Sequence, residues 1–262
     1  MEEAKQKLNE GNLSGAVTSA LAHVKAKPTD ASARTFLFEL SLFSGDWDRA
    51  DRQLDAIGQQ DANTAMGSLI YRQTLAVEKT RLEYFSKGVR PDFITECPAY
   101  VEDLISANDK LRERNFAEAS ELLEKVEQNR PAFASKINGE SVEDFRDFND
   151  LTSCVFEALI KDEYVWLPFE VVQKIEFFER KSLRDVFWIQ AKVDLKNGLG
   201  GEMLVPSLYA NSFKSKDDGV RLGRTNDWQE AGEGIYIGEG VKLFSANGES
   251  KAISQIETIE FV

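Results

Sequence analysis

The chain is poor in the residues that most enzymes depend on. Among 262 residues it has one histidine and two cysteines. Most acyl-transfer enzymes need a histidine base beside the nucleophile, and most metal hydrolases need imidazole ligands. Here the single imidazole, His23, sits in Ala20–Val24, inside a helical pattern and away from any other catalytic type of group. It reads as a residue on a helix flank. Cys97 and Cys154 cannot build a disulfide framework or a thiolate zinc site. Positive charge is also short: 32 Lys and Arg stand against 45 Asp and Glu, a net charge of −13. Nucleic acid and anionic membrane surfaces both call for a basic patch, so neither is expected as a partner. No apolar run reaches the ~18–20 residues of a membrane span. The polar, acidic start Met1–Lys5 does not read as a signal peptide. No phosphate loop occurs, and the glycines around 198–201 and 232–234 lack dinucleotide-loop spacing and read as turns. The expectation is a reduced, cytoplasmic protein with no cofactor and no metal.

What is present is periodicity. Gly11, Leu13 and Ala16 recur as Gly45, Trp47 and Ala50, thirty-four residues on. Arg114, Phe116 and Ala119 form a third copy at about twice that spacing. Pro28 and Pro131 follow the small alanine at the same distance in the first and third copies, while Ala62 replaces proline in the second. This period resembles the tetratricopeptide repeat. The glycine makes a tight turn between antiparallel helices, Asp46 caps the helix after it, the alanine permits close packing, and the proline stops the second helix. Between copies two and three, 64–87 reads as one long helix with Met66, Leu69, Tyr71, Leu75, Val77, Leu82 and Phe85 as its apolar positions.

Near residue 140 the pattern changes. Asn138–Ser141 reads as a break, after which Ser141 caps a linking helix through Phe145, Phe148, Leu151, Val155, Phe156, Leu159 and Ile160. Strand patterns follow at Tyr164–Pro168, Trp188–Leu195, Met203–Pro206, Ile235–Ile237 and Val241–Phe244, with Asn197-Gly198 and Asn247-Gly248 as hairpin signals. The expected fold is therefore multidomain, α and α+β. A tetratricopeptide-like helical repeat domain spans 1–137, and a small, mainly antiparallel α+β domain with an N-terminal linking helix spans 138–262.

The second half carries a distinctive set of residues. They are Trp166, Pro168, Phe169 and Glu170; then Arg184, Asp185 and Trp188; then Arg221, Gly223, Arg224, Asp227 and Trp228. In this order, behind a helical repeat, they resemble the ImpE family, also called TagJ or SciE, accessory proteins of the bacterial type VI secretion system. The resemblance covers essentially the whole chain. It implies a non-enzymatic adaptor that contacts a helix of the small subunit of the contractile sheath and the AAA+ ATPase ClpV.

If the repeat register holds, the inner face of the helices places Thr35, Glu39, Leu42 and Phe43, and then Leu104, Asn108, Leu111 and Arg112, where a partner helix could lie. The signature residues read as structural. In particular, an Arg224–Asp227 pair is expected to lock a loop that drives Trp228 into the core. The competing readings are an enzyme using Glu170, Arg184, Arg224 or Asp227, and a regulator holding a small ligand in the α+β domain. The change of period near residue 140 also suggests that a fragment ending near Arg130 folds alone.

Overall fold

The structure, a computed structural model, describes residues 1–232 and 234–262; Glu233, where the sequence suggests a turn, lies outside the described residues. Helices come first: α1 (Glu2–Asn9), α2 (Leu13–Ala26), α3 (Ala31–Ser44), α4 (Trp47–Gln60), α5 (Ala62–Lys87), α6 (Ala99–Arg112) and α7 (Phe116–Asn129). The three repeat copies are the hairpins α1/α2, α3/α4 and α6/α7. Asn12, Asp46 and Asn115 each accept a hydrogen bond from the backbone N–H three residues on, which satisfies one of the orphan donors at the start of the second helix. Ala16, Ala50 and Ala119 are fully buried, as close packing between paired helices requires. Gly11 and Gly45 take positive φ in the turns, and Arg114 adopts the same conformation in the third copy. With alanine in place of proline at position 62, α4 runs almost without a break into α5.

Thirteen strands follow among the described residues: β1 (Ser135–Ile137), β2 (Glu140–Val142), β3 (Phe145–Asp147), β4 (Val155–Ile160), β5 (Glu163–Pro168), β6 (Val172–Phe177), β7 (Trp188–Leu195), β8 (Gly200–Pro206), β9 (Asn226–Gly232), β10 (Ile235–Gly240), β11 (Leu243–Ala246), β12 (Glu249–Ala252) and β13 (Thr258–Phe261). Two one-turn helices, α8 (Arg184–Phe187) and α9 (Asp218–Arg221), sit among them. Eight strands make one sheet in the order β2-β1-β13-β6-β7-β8-β4-β5, with every neighbouring pair antiparallel. A three-stranded sheet β12-β11-β3 and the ribbon β9-β10 complete the unit. Phe145, Phe156, Phe169, Phe244 and Phe261 form its aromatic centre, with Phe156 and Phe169 ring centroids 4.6 Å apart and Phe145 and Phe244 stacked at 4.9 Å.

Two expectations need correction. The linking helix expected after Ser141 does not form: that stretch is β2, β3, a short 3-10 turn and β4. Its apolar spacing fits a helix, but Val155–Leu159 is buried on both faces of a sheet, where a strand reads as a continuous apolar run without alternation. The change of grammar also lies earlier than 138. Asn138 and Gly139 both have positive φ, the geometry of a type I′ turn, and join β1 to β2. The break is the tip of a hairpin, and β1 belongs to the sheet through its pairing with β13.

Nor does a gap in packing separate the halves. Buried residues from α1 to β13 form one continuous core cluster. Each repeat turn grips the second half through the same position of the repeat. Leu13 N–H donates to Asp218 at 2.8 Å. Trp47 packs edge-on to Phe213 and Phe187, with centroids 5.4 and 6.2 Å away. Phe116 lies against Gly232, where an added Cβ would meet its ring at 3.1 Å. Gly45 is obligatory for two reasons: φ is +68°, and a Cβ there would lie 2.2 Å from Phe213.

A fragment ending near Arg130 would strip the strands from the buried face of α5. We expect it to show helical circular dichroism without a cooperative melt. A sharp transition near the temperature of the whole chain would show that the helices do not need the sheet.

Candidate functional site

The most polar buried region lies where α5 crosses the sheet. Arg81 and Glu78 on α5, Glu157 on β4 and Lys242 just before β11 are all buried. The Arg81 guanidinium donates to both Glu157 oxygens, at 2.7 and 3.1 Å, to Glu78 at 2.8 Å and to the Leu208 carbonyl at 2.9 Å. Lys242 donates to Glu157. Tyr164 OH donates to Glu157 at 2.7 Å and accepts from Trp166 Nε1 at 2.7 Å, while Trp188 Nε1 donates to Glu78 at 2.9 Å. Two cations thus meet two carboxylates, and the cluster is formally neutral. Burial would raise the Glu157 pKa, but Arg81 and Lys242 outweigh it and hold the carboxyl well below the usual range. Burial likewise opposes the charge on Arg81, and Glu157 and Glu78 keep the guanidinium protonated. Every charge in the cluster is matched and hydrogen-bonded. That makes it a structural brace whose charges have no open path to a substrate.

A second buried acid adjoins it. Asp147 accepts from Tyr209 OH at 2.8 Å, Thr152 Oγ1 at 2.9 Å and Asn149 N–H at 3.0 Å. Burial pushes its pKa up to about 6, against the pull of Lys242 and these hydrogen bonds.

The residues expected to face a partner are mostly inside the protein. Leu42, Phe43 and Leu104 are fully buried, and Phe43 packs edge-on to Phe187 at 5.3 Å. Glu39 accepts from Arg184 at 3.0 Å, with burial outweighing Arg184 and raising its pKa. Asn108 donates to Tyr84 OH at 2.6 Å and to the Leu151 carbonyl at 2.9 Å. Arg112 donates to the Tyr84 carbonyl at 3.1 Å and lies over the Tyr84 ring. Thr35 and Leu111 are half-buried, and Thr35 is bonded back to the Ala31 carbonyl. The expected inner groove is therefore corrected. It is filled by the chain's own α5 and α+β unit, because the apolar residues that would hold a foreign helix hold these instead.

The signature residues are tied down one by one. Trp166, Phe169 and Trp188 are buried, and Pro168 ends β5 in register with Val155. Arg184 also donates to Tyr71 OH at 2.8 Å, and Asp185 accepts from the Lys181 and Ser182 amides. Arg221 pairs with Asp218. Gly223 has φ +65°, and a Cβ there would strike Leu208. Arg224 donates to the carbonyls of Leu8 and Asn9 at the end of α1, at 2.6 and 3.2 Å. Asp227 accepts from the adjacent Trp228 N–H. Arg224 and Asp227 therefore do not pair, because the arginine is drawn to the exposed carbonyl end of a helix, where a cation is favoured. Trp228 is half-buried, edge-on to Tyr209 at 5.7 Å and Phe148 at 6.3 Å, and is not a core plug. Glu170 lines a shallow depression with Thr95 and Lys196. The four residues of the enzyme reading thus stand apart, on four different contacts.

Comparison with known proteins adds to this geometry. A model of the ImpE protein family matches residues 139–260. The type VI secretion system accessory component TagJ of Pseudomonas aeruginosa is 27% identical over 258 residues, covering 98% of this chain and 90% of that protein. Residues 139–260 are thus similar to the ImpE family, and the chain over nearly its whole length is similar to TagJ. The crystal structure of a Vibrio parahaemolyticus protein superposes with a TM-score of 0.91 at 25% identity, covering 99% of this chain and 97% of that one. The helical repeat packed on the α+β unit is thus an arrangement shared with a solved structure, and of the signature residues Arg184, Trp188 and Arg224 reach across to the helices.

Two predictions follow from these contacts. Arg224→Ala should cost about 1 kcal/mol, the scale of a charge-assisted hydrogen bond in a solvated setting. Combined with Asp227→Ala it should show no coupling beyond ~0.5 kcal/mol in a double-mutant cycle of thermal or urea melts. Coupling well above that would restore the ion pair. Trp228→Ala should cost less than the ~3–5 kcal/mol expected of truncating the buried Trp166 or Trp188.

Asp147 binds its proton more tightly in the folded chain, about 6 against 3.8, so its contribution is full below pH 3.8 and is lost as pH rises through 6. Relative to Asp147→Asn, the parent should therefore lose on the order of 2–3 kcal/mol between pH 4 and pH 7. A difference that stays constant with pH in urea melts would place the charge elsewhere.

Proposed function

We propose that this protein is a non-enzymatic accessory component of a type VI secretion system, working in the cytoplasm as an adaptor. In this reading it binds a helix of the small subunit of the contractile sheath and links it to a ClpV-like AAA+ ATPase. The observation that carries the reading is likeness to TagJ over both halves of the chain. The internal geometry supports it. The charged groups that could serve catalysis are committed to holding the fold: Arg81, Glu78, Glu157 and Lys242 to one another, Arg184 to Glu39 and Tyr71, and Arg224 to a helix end. His23, the one imidazole, faces Asp30 at 3.1 Å beside the α2–α3 connection. An adaptor needs a rigid body with a free face, and a shared core between repeat and sheet supplies the rigidity.

The test is affinity capture of the tagged chain from its native bacterium, with the recovered proteins identified by mass spectrometry. The sheath small subunit and the ATPase should be enriched over an untagged control, and the purified sheath subunit should bind the purified chain directly. Recovery of neither, at normal expression of all three, would count against the adaptor reading.

A further inference from the structure

Helix α5 carries large apolar side chains on its outer face as well as its inner one. The face it turns inward carries Leu75, Val77 and Tyr84 beside Glu78 and Arg81, all buried. The face it turns outward carries Met66, Leu69 and Ile70, which are 67, 50 and 50% exposed. Ala62, Met66, Leu69, Gln73, Ala76 and Thr80 follow one another at steps of four, three, four, three and four, the heptad seam along which one helix packs on another. The first five are exposed and Thr80 is half-buried. The stripe is about 27 Å long at 1.5 Å per residue. No charged side chain occurs from Ala62 to Tyr71, although 29% of the chain is charged. On one flank the seam opens into a cleft of about 380 Å³, with Ile70, Leu159, Met203 and Leu204 among its walls beside Lys161 and Glu202. An uncharged ridge with exposed apolar side chains beside a partly apolar cleft is a surface of the kind that protein partners cover.

We infer that this seam and its cleft are the seat of the partner helix, and that the helix placed there is amphipathic, with apolar residues at heptad spacing and lysine or arginine on its flanks. The inference rests on the adaptor reading and moves the docking surface from the buried inner face of the repeats to the outer face of α5. Charge selects the occupant. The flank formed by α4 presents Asp48, Asp51 and Asp55, and the cations of α5 beside them, Arg72 and Lys79, are already turned onto these three carboxylates. Three carboxylates against two cations leave this flank acidic, the Asp48 side chain remains 82% exposed, and in the cleft Glu202 is set against Lys161. Flanks of this sign on a chain of net charge −13 attract a basic helix and repel a second copy of the same chain. The heptad spacing calls for a helix and would not register with an added strand, whose side chains repeat every two residues.

The experiment is isothermal titration of the full chain with the purified sheath small subunit, at two salt concentrations, using the parent, Met66→Asp/Leu69→Asp and the conservative Leu69→Met. Because these side chains are exposed, the double variant should melt like the parent. We expect it to bind at least thirtyfold more weakly, Leu69→Met to bind as the parent does, and the parent's affinity to fall as salt rises. Parent-like binding by a folded double variant would overturn the seat while leaving the adaptor reading intact. No binding by the parent would overturn the adaptor reading and the seat with it. Sedimentation of the chain alone supplies a further arm: a dimer in the parent that the double variant abolishes would mean that a second copy covers the seam, and the inference would be wrong about the occupant.

Discussion

The contact between Arg81 and Glu157 sets the geometry of the whole molecule. It joins the longest helix to β4, next to the edge strand of the main sheet, with Glu78, Lys242, Tyr164, Trp166 and Trp188 closing the shell around it. Buried ion pairs add little net stability over well-packed apolar side chains, because desolvation offsets most of the Coulomb gain. What they supply here is uniqueness. A helix lying on a sheet through leucine and valine alone can slide or rotate by a residue at small cost. A guanidinium that must meet two carboxylates and a carbonyl at once has one position. Removing any one member would leave an unpaired buried charge, at a cost of about 3–5 kcal/mol.

Once α5 is held there, the repeat hairpins have little freedom. Leu13, Trp47 and Phe116, equivalent positions of three copies, each touch a different element of the α+β unit. A tetratricopeptide-like array normally keeps one face for a foreign ligand. This one uses it on its own second half, with Phe43, Glu39, Asn108 and Arg112 engaged internally. The division at residue 138 is therefore a change of secondary structure inside one core, and the surface left for partners is what the array leaves uncovered.

Local signals were legible and long-range ones were not. The repeat turns, their caps, the buried alanines and the extent of α5 all depend on residues within a few positions of each other, and the structure has them as the pattern suggests. Trp188–Leu195 alternates and is a strand; Asn197-Gly198 joins it to the next. The same Asn-Gly chemistry at 138–139 was equally readable as a hairpin, but the helical spacing of apolar residues after it suggested a helix. Burial on both faces of the sheet removes the alternation that would have settled the matter. Arg81 and Glu157 are seventy-six residues apart and nothing local marks them as partners. Arg224 and Asp227 illustrate the converse: nearness in sequence suggested a pair, while the carbonyl end of a helix more than two hundred residues away took the arginine.

Helix α5 works on both of its sides. In its second half Leu75, Val77 and Tyr84 are buried beside Glu78 and Arg81, with Arg81 joined to Glu78 on the same helix and to Glu157 on the sheet. In its first half only Ser68 and Thr74 are buried, and Met66, Leu69 and Ile70 stand in water at a hydrophobic cost of the order of 1 kcal/mol or more each. Nothing in the fold of the single chain requires those side chains to be apolar, because polar residues at the same positions would solvate better and leave the core unchanged. The cost is offset only where something covers them, so an internal brace and an external apolar seam on one rigid helix are the two halves of a single arrangement.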